Sequence, residues 1–130
     1  MSLIVIYLFY SFISQQVPEP KQDPTLLIDS TNQIIQIEIL NGSGIKGAGA
    51  KFTNYLRKNG VDVIDVRNYK TSSLENTIII DRIGDIKASK KIAQLIGITE
   101  KNILQQINPD YFVSITLILG KDCTQLKPMM

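Results

Sequence analysis

The clearest pattern in the chain is the alternation of isoleucine with polar residues over positions 35–39, where Gln36 and Glu38 separate the isoleucines. Side chains along a β-strand point alternately to the two faces of a sheet, so this pattern predicts a strand with one buried and one solvated face. A second alternation over residues 113–119 predicts the last strand of the domain. We therefore expect one face of the sheet to be covered and the other to be largely open to water.

Two amphipathic helices are predicted by apolar residues that recur every three or four positions. The first follows a glycine-rich turn and ends at Asn59-Gly60, where Gly60 suits the left-handed conformation that terminates many helices. The second opens at Gly84-Asp85, with an acid near its positive end, and stops before Gly97. The apolar positions are Ile45, Ala48, Phe52, Tyr55 and Leu56 in the first helix, and Ala88, Ile92, Leu95 and Ile96 in the second.

Residues 61–66, 77–80 and 103–107 are short apolar runs that predict three further strands. The first strand, first helix and second strand form a right-handed βαβ unit with parallel strands. The polar stretch 67–76 contains no helical stripe and is short for a parallel crossover, so we expect the third strand to return antiparallel. The predicted fold class is α/β: a two-layer sandwich of order β-α-β-β-α-β-β, with a mixed sheet and both helices on one face.

The first 17 residues form a separate apolar segment without a charged side chain. A helix over them would be about 26 Å long, slightly less than the roughly 30 Å hydrocarbon core of a bilayer. We interpret the segment as a membrane anchor. The apolar region of a signal peptide, the tail of a longer anchor and a buried core helix are alternatives, although the basic start and small-residue cleavage site of a signal peptide are missing.

Residues 18–33 contain Pro18, Pro20 and Pro24 among polar residues, which predicts an extended, solvated linker. The folded domain is expected over residues 34–122, and residues 123–130 are expected to be a flexible tail. This arrangement predicts a single-pass protein of the cytoplasmic membrane whose domain lies on the extracytoplasmic side.

Composition excludes several kinds of chemistry. The 130 residues support one modest domain, and a formal charge of +2 is too small to indicate a nucleic-acid partner. The absence of histidine and the single cysteine, Cys123, exclude a His-based triad, an imidazole base, a Cys/His zinc cluster and an intramolecular disulfide. We therefore expect no metal, no cofactor and no enzymatic activity.

The turn after the first strand reads G-x-G-x-x-G through Gly42, Gly44 and Gly47, and Ser43 suits the N-cap of the following helix. A dinucleotide site needs a doubly wound parallel sheet, which helices on one face do not provide. We expect Gly42 and Gly44 to bend the backbone and Gly47 to let the helix pack close to the sheet. A weak phosphate or nucleotide site at Gly42, Ser43 and Gly44 is the alternative.

Three further groups of polar residues are candidates for contact with a partner. Asp81-Arg82 begins an acid-base cluster at a strand-to-helix junction, which either caps its helix or binds a ligand. The predicted open sheet face presents Gln36, Glu38, Ser114, Thr116 and Ile118. The helices carry Lys46, Lys51, Arg57 and Lys58, followed by Lys87, Lys90 and Lys91, which form either a solvated face or a surface for anionic head groups or wall polymers.

Two motifs together resemble the C-terminal domain of LytR/CpsA/Psr cell-envelope proteins. They are the opening Ile37–Gly44, IEILNGSG, and the ending Thr116–Asp122, TLILGKD, supported by Gly47-Ala48 and the segment LRKNGVDV at residues 56–63. In that family the domain often follows a membrane anchor and a catalytic domain, which this chain replaces with a short linker. The resemblance implies a non-catalytic accessory module that contacts an envelope protein or an anionic wall polymer, and it carries over no catalytic residue.

Overall fold

The computed structural model describes residues 27–28 and 33–130. The predicted anchor at residues 1–17 lies outside the described residues, as does most of the predicted linker. Among the residues that the structure does describe, no helix has the length and apolar character needed to span a bilayer.

The described chain forms a mixed sheet with two α-helices, in the predicted order β-α-β-β-α-β-β. The elements are β1 (Gln36–Asn41), α1 (Ala48–Lys58), β2 (Asp62–Asn68), β3 (Ile78–Asp81), α2 (Ile86–Ile96), β4 (Ile103–Gln105) and β5 (Ile115–Leu119). The strand order across the sheet is β2-β1-β5-β3-β4. β1 lies parallel to β2 and β5, whereas β3 lies antiparallel to β5 and parallel to β4, which confirms the expected reversal at the third strand.

Both helices pack on the same face of the sheet, as predicted. One buried cluster contains Ile37 and Ile39 of β1 together with Phe52 of α1 and Ile92 of α2. Burial of one such side chain contributes roughly 1.5–3 kcal/mol to stability, so this layer supplies the main apolar contribution to the fold. Gly60, the second residue after α1, has the expected left-handed conformation, with φ of 83°.

A β-bulge in β2 explains why its sequence does not alternate cleanly. Ile37 of β1 pairs with Val63, but the next residue of β1, Glu38, pairs with Asp65, so Ile64 is an extra residue in β2. A bulge shifts the following side chains to the other side of the strand. Asp65 therefore lies on the face opposite the helices, the same face as Glu38.

The prediction of a flexible tail at residues 123–130 is wrong. Two 3₁₀ turns continue the chain, Lys121–Gln125 and Lys127–Met129, and the second of them lies against both helices. Cys123 is fully buried in the core and Leu126 is nearly so. Cys123, Leu126 and Met129 recur every third residue, which is the period of a 3₁₀ helix, and the amphipathic patterns of α-helices and strands do not reveal it.

Leu27, which falls within the predicted linker, contacts the folded domain. Its backbone N–H donates to the carbonyl of Gly60 at 3.2 Å, and its carbonyl accepts from the N–H of Ile35 at 3.0 Å. Ile28 forms an antiparallel bridge with Ile34. Leu27 and Ile28 therefore pair with the residues that lead into β1.

Candidate functional site

The side chains of the glycine-rich turn after β1 form hydrogen bonds within the turn itself. Asn41 Oδ1 accepts from the backbone N–H of Ser43 at 3.1 Å and from its hydroxyl at 2.6 Å. Ser43 Oγ in turn accepts from the N–H of Ile45 at 3.0 Å, and Asn41 Nδ2 donates to the Ile45 carbonyl. Two of the amides that would face a phosphate are therefore already bonded within the turn.

The predicted capping role of Ser43 is wrong. The N-cap of α1 is Gly47, whose left-handed backbone has φ of 82° and which contributes no side-chain hydrogen bond. Ser43 lies four residues earlier and bonds inside the turn, because the chain makes a further bend at Gly44, with φ of 74°, before the helix starts. The side chain of Ser43 is therefore too far from the helix start to cap it.

The glycines of this turn have different roles from those expected. A Cβ at Gly47 would meet no atom within 4 Å, so Gly47 is required for its backbone conformation and not for close packing. Close packing is instead the role of Gly49, where a Cβ would lie 2.9 Å from Val66 Cγ1 on β2. At Gly44 the positive φ confirms a bend, and a Cβ there would also lie 2.7 Å from the Ser72 carbonyl oxygen.

The two sequence motifs at the ends of the domain meet at one end of the sheet, because β1 and β5 are parallel neighbours. The N–H of Gly42 donates to the carbonyl of Leu119 at 2.9 Å. Thr77 donates to Asp122 Oδ1 from its backbone N–H at 2.9 Å and from its hydroxyl at 2.6 Å, and it accepts from the N–H of Gly120. These bonds join the two motifs and hold the end of β5 against the start of β3.

The end of the sheet where the two motifs meet is called the motif corner below. A cleft of about 390 Å³ lies beside it. It is lined by Asn41, Gly44, Ile45, Lys46, Asn68, Tyr69 and Ser72. Lys46 gives the cleft one exposed cation. Among the described residues, no cluster of three or more acidic or cysteine side chains is arranged to hold a metal ion.

The acid-base cluster at the end of β3 is divided between two structural roles. Asp81 is fully buried, and its Oδ1 accepts from the backbone N–H groups of Ile83, Gly84 and Asp85 at 3.0–3.2 Å. Asp85 caps α2 by accepting from the N–H of Ala88 at 3.2 Å. Arg82 points to the opposite face of the sheet and donates to Thr116 Oγ1. The capping interpretation is therefore confirmed for Asp81 and Asp85 but not for Arg82, and Asp81 is not exposed to a ligand.

The predicted open sheet face is wrong at its centre. Glu38 and Thr116 are fully buried and Ile118 is 6% exposed, although Gln36 at the strand end is exposed. Glu38 Oε1 accepts from the Tyr111 hydroxyl and, at 2.8 Å, from Thr116 Oγ1. Its other oxygen forms an ion pair with Arg67 at 3.1 Å. The polar groups on this face therefore form hydrogen bonds with one another instead of with water.

Tyr111 is the residue of this polar face that the sequence patterns missed. Arg82 lies over its ring, with 4.3 Å from the guanidinium carbon to the ring centroid, and Phe112 stacks beside it. Burial, followed by the hydrogen bond to Glu38, raises the pKa of the Tyr111 phenol, so the phenol stays protonated and donates at neutral pH. Tyr111 follows the turn at Asn108-Pro109 and belongs to no periodic element, so only the tertiary structure reveals its position.

The outer side of the two helices carries most of the predicted cations. We call Lys51, Lys58, Lys87, Lys90 and Lys91 the basic helix layer; all five are exposed. Within the described part of the chain only Lys90 has a carboxylate partner, Glu100 at 3.7 Å. Arg57, also on α1, donates to the carbonyl of Val63 at 2.9 Å and so braces the helix against β2. Of the predicted contact residues, this layer is the set that the fold leaves exposed together.

Comparison with known proteins gave one family. The family model described as LytR cell envelope-related transcriptional attenuator matches residues 34–122, which is the entire span from β1 to the second sequence motif. No curated protein and no solved structure matched the chain.

Proposed function

The chain belongs to the LytR C-terminal family of cell-envelope-related domains, and from this membership we propose that it is a non-catalytic accessory module, anchored in the cytoplasmic membrane with its domain on the extracytoplasmic side. We further propose that the basic helix layer binds an anionic component of the envelope. The anchor is the apolar segment at residues 1–17. The observation that carries the proposed contact is the exposure of these five lysines, of which only Lys90 has a carboxylate partner among the described residues.

Two features support an accessory role over a catalytic one. The fully buried carboxylates, Glu38 and Asp81, each accept several hydrogen bonds from the domain itself, so neither is available to a substrate. The sequence also contains no histidine to act as a base near neutral pH.

Electrostatics supports the choice of an anionic component. Each Lys or Arg near an anionic surface contributes on the order of 1 kcal/mol of attraction, and this attraction decreases as salt screens it. α1 has no acid in its first turn and ends with Arg57 and Lys58, so the helix contributes positive charge only. The outward side chains of both helices therefore present one sign of charge to a partner.

We expect the double variant Lys51→Glu/Lys87→Glu to weaken binding to an anionic polymer by about 30-fold or more, because it removes two attractions of about 1 kcal/mol each. Binding of the full chain in detergent to polyglycerol phosphate, against neutral dextran, measures this by biolayer interferometry across a salt series.

The matched control is Lys70→Glu/Lys101→Glu, which changes the net charge equally at exposed positions outside both helices. If both variants lose the same amount of binding, the effect arises from the net charge of the protein and not from the basic helix layer. Full binding by the helix-layer variant would contradict the proposed surface and place the polymer contact elsewhere on the protein.

The cleft at the motif corner, with Lys46 at its rim, is the feature that favours the alternative of a phosphate- or nucleotide-binding protein. We expect no thermal stabilisation by inorganic phosphate or by nucleotides, because the amides of Ser43 and Ile45 are bonded within the turn. A ligand at one hundred times its dissociation constant would add about 2.7 kcal/mol to the free energy of unfolding, a shift that scanning fluorimetry detects readily. Such a shift, abolished by Lys46→Ala, would establish the alternative.

A further inference from the structure

Leu27 and Ile28, which come before β1 in the chain, lie on the same side of the molecule as the basic helix layer. Leu27 lies at the seam between the helices, where a cleft of about 300 Å³ is lined by Leu27, Tyr55, Lys91, Gln94, Leu95 and Lys127. Leu27 packs against the core, and its backbone bonds to Gly60 at the end of α1 and to Ile35. We call Leu27, the first residue that the structure describes, the exit point; it lies on the helix side of the sheet.

Two lysines flank this exit point. Lys91 Nζ donates to the carbonyl of Ile28 at 3.1 Å, and Lys127 Nζ donates to the carbonyl of Gln94 at 3.2 Å. An ammonium group has three N–H donors, so each lysine keeps further donors available. Neither lysine has a carboxylate within ion-pair distance among residues 27–28 and 33–130.

The position of Leu27 limits how far the helices can lie from the predicted anchor. Only nine residues, 18–26, separate Leu27 from the end of the apolar segment. Nine residues span at most about 30 Å even when fully extended, which is close to the diameter of a small domain. The exit side of the domain is therefore the side that such a tether brings nearest to the bilayer.

We propose that the basic helix layer lies against the membrane from which the N-terminal segment emerges, and that its anionic component is the lipid head group. This inference rests on the proposed function, because it needs the anchor and the basic contact surface. The polar face with Tyr111 and Phe112 then faces away from the membrane. Leu27 acts as the latch that sets this orientation, since it fixes the exit point beside Lys91.

The test uses the full chain in nanodiscs that contain a quencher attached to the lipid head groups. A fluorophore is attached at Asn54→Cys, an exposed site on α1 between Lys51 and Lys58, or at Asp110→Cys, an exposed site in the turn before Tyr111. Cys123 is buried and does not compete for the label.

We expect several-fold stronger quenching at position 54 than at position 110 in discs containing phosphatidylglycerol, and a much smaller difference in discs of phosphatidylcholine alone. The variant Lys51→Glu/Lys87→Glu, or 1 M salt, at which the screening length falls to about 3 Å, should remove the difference. Leu27→Ser should reduce it, because the latch is lost and the tether lengthens. Circular dichroism of each variant confirms that it is folded.

Equal quenching at both positions, or stronger quenching at position 110, would overturn the proposed orientation, and an unchanged difference in Leu27→Ser would overturn the latch. If the chain binds polyglycerol phosphate but shows no lipid-dependent quenching, the head-group assignment fails while the proposed function stands. If the chain does not enter the nanodiscs, the anchored function itself fails.

Discussion

Replacing Gly120 with alanine is expected to lower the free energy of unfolding by about 3 kcal/mol, at the upper end of the cost of overpacking. A Cβ at this position would lie 2.4 Å from the carbonyl carbon of Asn76 and 2.7 Å from its nitrogen and oxygen. All three are backbone atoms, so the chain cannot make room by rotating a side chain. The loss should also weaken the neighbouring bonds of Thr77 to Asp122, because both depend on the same approach of the two segments.

Urea denaturation followed by circular dichroism measures this change, with Gly47→Ala as the matched control. Gly47 has a positive φ but open space around it, so alanine there carries only the cost of the left-handed backbone, about 1 kcal/mol. If Gly120→Ala costs no more than Gly47→Ala, the approach of Gly120 to Asn76 is looser than its geometry indicates.

The second large effect is expected at Glu38. Glu38→Leu keeps a similar volume but removes the acceptor for the hydroxyls of Tyr111 and Thr116 and the partner of Arg67. A buried polar group left without a partner costs about 1–3 kcal/mol, so we expect destabilisation of about 3 kcal/mol in total. Loss of the ion pair itself costs little free energy of unfolding, because the Arg67 side chain is about half exposed and water solvates its charge once Glu38 is gone.

A double-mutant cycle separates this network from simple loss of packing. Tyr111→Phe alone should cost about 1 kcal/mol, the typical value of one hydrogen bond. The double variant Glu38→Leu/Tyr111→Phe should cost less than the sum, because it removes both a donor and its acceptor. Strict additivity, or a Glu38→Leu variant as stable as the native chain, would contradict a structural role for the carboxylate.

Much of the architecture follows from the sequence, because each helix has a continuous apolar stripe and each ends at a glycine. The positive φ of Gly60 and Gly97 is an example of local chemistry that residue type alone predicts. The reversed direction of β3 follows from the short polar connection before it. Such features depend on neighbours in the chain, so periodicity and turn residues are sufficient to identify them.

The candidate site was predicted less well, because it depends on contacts between distant residues. Glu38 has the sequence context of a solvated residue, and only the return of Tyr111, 73 positions later, buries its carboxylate. Gly47 and Gly49 are equivalent by residue type, and only the bulged strand β2 decides that Gly49 is the one in close contact. The basic helix layer was predicted residue by residue, but its common exposure follows from the packing of both helices on one face.

The position of β5 has a consequence for the order in which the domain is assembled. β5 is the last strand in the sequence, yet within the described sheet it lies between β1 and β3 and joins the parallel pair β1–β2 to the parallel pair β3–β4. A chain that emerges from the ribosome or a translocation pore from its N-terminus cannot join these pairs until residue 119 is released. The two halves thus remain separate during synthesis, and the domain closes in one late step that requires pairing between residues about 80 positions apart.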